Sequence, residues 1–286
     1  MKLDSKAFSL KIALMVFLFC WLVFLVTGTA IGSLFLFLKW HHLTFLSELS
    51  SILSISICYF VIWRVVIFKE VELFSSSDFT EIKENLWIPV LILALSLQII
   101  SQSFVDVYNH LFFPEYEHLM NNYHPKFNLG FLISAGSAVL ISPVCEEYLF
   151  RKYFFGKLLT KYSFGISMLV SSLFFSMMHL PLMGKLLPTF LLGCTSAFVY
   201  YKTGKLGYSI LLHMLSNLMA LFTDIYIPDF WDFLHQLHFN DQYWILIFLG
   251  VSVYLVAIIR LSKNTLKNSE NNSKKKDSQN NGNPQF

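Results

Sequence analysis

IALMVFLFCWLVFLVTGTAIGSLFLFL, residues 12–38, holds no charged side chain. A helix of about 20 apolar residues crosses the hydrocarbon core of a bilayer, and this run is longer. It also exceeds the apolar core of a secretory signal, about 7–15 residues, and no A-x-A-like site follows it. The positive start at Lys2, Lys6 and Lys11 therefore reads as the flank of a retained helix. Further along the chain, seven more apolar stretches follow: Leu43–Trp63, Leu86–Val105, Leu129–Phe150, Phe164–Leu180, Leu186–Tyr201, Gly207–Phe222 and Tyr243–Ile259. Hydrocarbon offers backbone groups no partner, so such stretches must satisfy their hydrogen bonds internally, as helices do. The sequence predicts an all-α, polytopic transmembrane bundle of about eight helices. The fifth to seventh are short and close together, which suits tilted or partly re-entrant packing.

Composition agrees. Of 286 residues, 55% are hydrophobic and 14% charged, against about 25% charged in a soluble domain. The expected partner is the lipid bilayer, and a net charge of +3 gives no basis for a nucleic-acid partner. Cys20, Cys58, Cys145 and Cys194 each lie in an apolar stretch with no CxxC pair, so neither a disulfide framework nor a zinc-thiolate site is expected.

Placing the N-terminus in the cytoplasm leaves only Lys39, Lys126 and Lys185 outside, of 21 Lys and Arg. That asymmetry predicts a multi-pass protein of the cell membrane with both ends cytoplasmic. Four regions result: membrane helices and an outer loop over 1–128, a central core over 129–222, a last membrane helix region over 223–260, and a polar tail over 261–286. The tail is too polar to bury a core and reads as disordered. Its Lys274–Lys276 run suits contact with anionic headgroups. The outer loop, Asp106–Asn128, mixes aromatics with His110, His118 and His124 and reads as an interfacial belt. No internal repeat of the transporter kind is present.

Ionisable residues inside membrane helices are expensive and mark function by default. Three places break the apolar pattern. In PVCEEYLFR, Pro143–Arg151, helix neighbours point about 100° apart, so Glu146 and Glu147 cannot do the same work. Glu147 and Arg151 are spaced to pair on one face. Glu146 is left to point into the bundle, where a desolvated carboxylate can serve as general base near neutral pH. Pro143 frees a carbonyl just before the pair. In FFSMMH, Phe174–His179, Phe175 lies one turn before His179. In LHMLSN, Leu212–Asn217, His213 and Asn217 share a face and can aim two donors at a developing oxyanion. Taken singly, each also reads as a snorkelling helix end, a structural histidine, or interhelical polar glue.

Together the three resemble the E-E-x-x-x-R, F-x-x-x-H and H-x-x-x-N motifs of the CAAX-protease and bacteriocin-processing family, over about Leu129–Leu221. The resemblance implies an intramembrane endopeptidase acting on a membrane-associated peptide or protein. In it Glu146, helped by His179, activates water, and His213 and Asn217 form the oxyanion hole. Arg151 orients the Glu146–Glu147 pair, and Phe175 packs the site against the substrate. The family has been described both as metal-dependent and as glutamate-dependent. The absence of an H-E-x-x-H helix motif favours the second, and no cofactor is expected. On simple helix lengths Glu146 falls near the cytoplasmic end of the fourth helix and His179 near the outer end of the fifth. Their meeting requires the fourth helix to run past Arg151, or the fifth to enter late. The rival readings are a non-proteolytic immunity or regulatory protein, a lipid-modifying acyltransferase using the same Glu/His site, and a proton-coupled transporter.

Overall fold

The computed structural model describes residues 8–38, 44–68, 70, 75–79, 83–112, 129–180, 182–226, 236–237 and 239–280. All eight apolar stretches are helical: α1 (Leu10–Phe37), α2 (Thr44–Ile62, continued by a π-helical turn over Trp63–Ile67), α3 (Glu84–Phe112), α4 (Leu129–Leu159, in alternating α and π segments), α5 (Phe164–Met177), α6 (Leu186–Thr203), α7 (Leu206–Tyr226) and α8 (Asp241–Asn280). No strand occurs among the described residues. Leu10–Phe37, Leu49–Ile67, Asn85–Phe112, Leu129–Leu159 and Asp241–Ser269 are each long and apolar enough to cross a bilayer.

The central helices are shorter or more polar because they face protein rather than lipid. Ser167, Ser171, Ser172 and Ser176 of α5 and Thr195 and Ser196 of α6 are buried. Much of the apolar exposure falls on the outer helices, on Met15, Leu22 and Val26 of α1 and on Phe248, Leu249 and Val253 of α8, with Leu169 and Leu173 exposed on the opposite side of α5. An aromatic core joins α1 to α4 and α5. Phe17 stacks on Phe174 with centroids 4.5 Å apart, and Phe154 meets Phe174 edge-on at 5.4 Å.

Two boundaries differ from the sequence reading. The fourth helix runs on to Leu159 instead of ending near Phe150. The side chains of Tyr148–Phe155 are almost all buried, so this segment gains from packing even where its residues are polar. From Leu261, where composition predicts a disordered tail, α8 continues as helix to Asn280. Asn264 donates to the Asn85 carbonyl at 2.6 Å, and the side-chain amides of Asn85 and Asn268 exchange bonds at 3.2 and 3.3 Å. These tie the polar stretch to the start of α3, a long-range partner that composition cannot reveal. In the outer loop, α3 reaches Phe112, and the His110 ring meets Phe239 edge-on at 4.9 Å. His118 and His124 lie outside the described residues.

The segments rich in Lys and Arg gather at one end of the bundle. The Leu10 N–H donates to the Tyr162 hydroxyl at 3.1 Å. Lys157 pairs with Glu70, and Lys152 with Asp78. The Lys83 N–H donates to Tyr208 at 2.7 Å. The first turn of α1, the α2–α3 connection, the end of α4, the α6–α7 turn and the end of α8 therefore share a face.

One close approach sets the α5–α6 spacing. A Cβ on Gly193 would lie 2.9 Å from the Ser172 Cβ. Gly193→Ala should lower the unfolding free energy in detergent by about 1–3 kcal/mol, the usual cost of overpacking. Gly32→Ala, in open space on α1, should instead gain up to about 1 kcal/mol from helix propensity. Equal effects at the two positions would refute the packing argument.

Candidate active site

Glu146 and Glu147 lie mid-way along α4. Glu147 is at 0% exposure and is fully engaged. Its Oε2 lies 3.1 Å from Nε of Arg151, also at 0%, and accepts from the Ser196 hydroxyl of α6 at 2.7 Å. Its Oε1 accepts from Nδ1 of His213 at 2.9 Å. An unpaired carboxylate at this depth would be prohibitively costly. Three partners from three helices offset that cost and fix the side chain. Ser209 donates to the Ser196 carbonyl at 3.0 Å, tying α6 to α7 beside the same point.

Glu146, at 16% exposure, is the accessible member of the pair, and its Oε2 lies 3.6 Å from Nε2 of His213. With the Nδ1 hydrogen given to Glu147, the imidazole turns Nε2 toward Glu146. At 3.6 Å the two atoms are too far apart for a direct hydrogen bond and close enough to act on one small molecule between them. Tyr59 of α2 also approaches Glu146.

The Phe175 ring organises the cluster. The Arg151 guanidinium carbon lies 4.8 Å from its centroid, a cation–π arrangement. The rings of His179 and His213 meet it edge-on at 5.2 and 5.5 Å. His179 reaches the cluster through this ring. Its Nδ1 donates to the Phe175 carbonyl at 3.1 Å, leaving Nε2 unengaged by any carboxylate among the described residues. The extension of α4 accounts for their common level. At about 1.5 Å per residue, Glu146 lies about 20 Å from the Leu159 end and His179 about 22 Å from the start of α5.

Asn217 has a specific acceptor. Within the π segment Ser137–Ile141, the Ser142 N–H goes to Ser137. The next residue, Pro143, has no N–H. Ala138 thus loses its backbone donor, and the Asn217 side-chain amide supplies one at 2.8 Å. This is the carbonyl that Pro143 was expected to free. The second amide hydrogen of Asn217 is available for another acceptor.

Sequence reasoning missed Ser196 and Tyr59. The Thr195-Ser196 pair within apolar α6 was a visible signal for the first. For Tyr59, on a helix outside the motifs, there was none. Among the described residues no group of three His, Cys, Asp or Glu side chains is placed to hold a metal ion. Glu147 and His213 are each committed to partners that a metal would have to displace.

The family described as type II CAAX prenyl endopeptidase, Rce1-like, matches residues 128–219. Over residues 128–219 the chain is similar to the CAAX-protease family. The matched segment contains α4 to most of α7 and, apart from Tyr59, the site residues described above. The chain is 37% identical over 78 residues to YdiL of Bacillus subtilis (strain 168), described as a candidate membrane peptidase, covering 27% of this chain and 32% of that protein. It is 32% identical over 97 residues to the membrane-embedded CAAX protease MroQ of Staphylococcus aureus (strain USA300), covering 32% and 38%. It is 34% identical over 81 residues to the UPF0177 protein YxdF of Lactococcus lactis subsp. lactis (strain IL1403), covering 28% and 44%. The chain thus matches between about a third and just under half of the length of these relatives. No solved structure matches significantly.

Proposed function

We propose that the protein is an intramembrane endopeptidase in which Glu146 activates water against a peptide bond of a membrane-associated substrate, a prenylated or leader peptide among the candidates. The observation that carries this reading is the division of labour between the two carboxylates. Glu147 is consumed by Arg151, Ser196 and His213, whereas Glu146 is the more accessible of the two and lies 3.6 Å from Nε2 of His213. In the proposed step, water gives a proton to Glu146 as its oxygen bonds to the scissile carbonyl carbon. The carbonyl oxygen takes up the negative charge, stabilised by the free Asn217 hydrogen and by the imidazole of His213 in its protonated form. Collapse of the tetrahedral intermediate expels the amine, which takes the proton held by Glu146. Arg151 acts as a positioning residue through Glu147, and His179 joins from the far side of Phe175.

The reaction as proposed uses no metal. The protein lies in the cell membrane, with its Lys- and Arg-rich end, and so both termini, in the cytoplasm. The test is turnover of a membrane peptide library by the purified protein with and without a strong chelator. Unchanged cleavage under chelation is the expected result. Loss that is restored by a divalent cation would replace glutamate catalysis by metal catalysis. No cleavage by the folded protein would favour the acyltransferase or immunity readings.

A further inference from the structure

α2 lies outside the matched residues 128–219, yet it brings a side chain to the carboxylate cluster. The Tyr59 hydroxyl donates a hydrogen bond to the Glu146 carboxylate. The register between the two helices supports this contact independently. Glu70, just past the π-helical turn that ends α2, pairs with Lys157 near the end of α4, 87 positions away along the chain. Tyr59 and Glu146 stand at the same offset, and so do the neighbours Cys58 and Cys145. At the other end, α2 packs on Leu129–Gly136, the first turns of α4. The two helices therefore run side by side in one direction, in register from the start of α4 to its charged end.

The Tyr59 side chain is itself held. It is half-buried and packs against the main apolar core. Cys58 beside it is buried and hydrogen-bonds Thr27 of α1. A reacting group must be kept within about 0.5 Å of its productive geometry by neighbours that are themselves locked. His213 Nε2, at 3.6 Å, is too far to bind Glu146 directly, and a glutamate side chain left alone has wide rotamer freedom. A phenol on a packed ring supplies the missing restraint. A carboxylate has about four lone-pair sites, so one bond from Tyr59 leaves others free to take a proton from water.

We propose that Tyr59 is a positioning residue that fixes the Glu146 carboxylate through its hydroxyl, without touching substrate; the inference rests on the reading of Glu146 as the group that activates water. The experiment compares the full chain with Tyr59→Phe, Glu146→Gln and the double variant, on a fluorogenic peptide from the membrane library that the wild type cleaves. Tyr59→Phe keeps the ring and its packing. It should lower kcat by about 10–100-fold, the range for one hydrogen bond to a charged group, with KM unchanged. In the Glu146→Gln background the same change should cost less than about twofold, because the group it acts through is gone. Glu70→Gln frees α2 at its charged end but keeps the hydroxyl, and should hold kcat within about twofold of the wild type. The proposal is overturned by wild-type kcat in Tyr59→Phe beside an inactive Glu146→Gln, or by a rise in KM alone, which would make Tyr59 a substrate contact. Equal losses in the two backgrounds, or an equal loss in Glu70→Gln, would also overturn it and make Tyr59 a packing residue. In each of these cases the reading of Glu146 stands. Wild-type turnover by Glu146→Gln, or no cleavage by the wild type, would instead remove that reading, and this inference with it.

Discussion

Glu146→Gln is expected to slow peptide cleavage by about 10²–10⁴-fold, the usual contribution of a positioned general base, with little change in stability. The argument rests on the contrast with its neighbour. Glu146 lies 3.6 Å from Nε2 of His213, is approached by Tyr59, and stays partly exposed. An amide of the same shape can be solvated there, but it cannot take a proton from water. Glu147→Gln should behave differently. It leaves the fully buried Arg151 without its counter-ion, so activity and folding should fall together. Cleavage assays paired with thermal unfolding of both variants in detergent separate the cases. Glu146→Gln retaining wild-type turnover would remove it from the chemistry, whatever Glu147→Gln did.

The two carboxylates also show what a sequence can and cannot carry. Adjacent positions on a helix point apart, and Glu147 and Arg151 share a face, so the split into a paired and an available carboxylate was readable from spacing alone. All eight helices were readable too, because apolar run length is set by bilayer thickness. The depth of the site was not. It depended on α4 continuing through the polar stretch after Phe150, and that continuation is stabilised by burial against other helices. The helical course of α8 beyond Leu261 was hidden for the same reason, since it rests on contacts with Asn85 that lie 179 and 183 positions away. His213 was read as an oxyanion donor on its own helix. That it also spans both glutamates follows from how α7 packs on α4, which no local pattern encodes.

Arg151→Met should be among the most destabilising single substitutions in the protein, at about 3–5 kcal/mol, because it strands a buried carboxylate. Three observations make the case. Arg151 and Glu147 are both at 0% exposure, 3.1 Å apart. Nη1 and Nη2 of Arg151 find no hydrogen-bond partner among the described residues, so the guanidinium is held by charge and by the Phe175 ring rather than by a full set of bonds. The same guanidinium is thus a poor contributor to stability relative to an apolar side chain, yet costly to remove alone. A double-mutant cycle exposes this. Glu147→Gln with Arg151→Met should be more stable than Arg151→Met alone, because the stranded charge is gone, while cleavage stays low because the Glu147 carboxylate no longer holds His213 toward Glu146. Unfolding in a denaturing detergent supplies the energies, and turnover supplies the second axis. Additive energies in the cycle would mean that Arg151 and Glu147 act separately. Recovery of cleavage together with stability would mean that the pair serves the fold and leaves the orientation of His213 to Ser196 and Phe175.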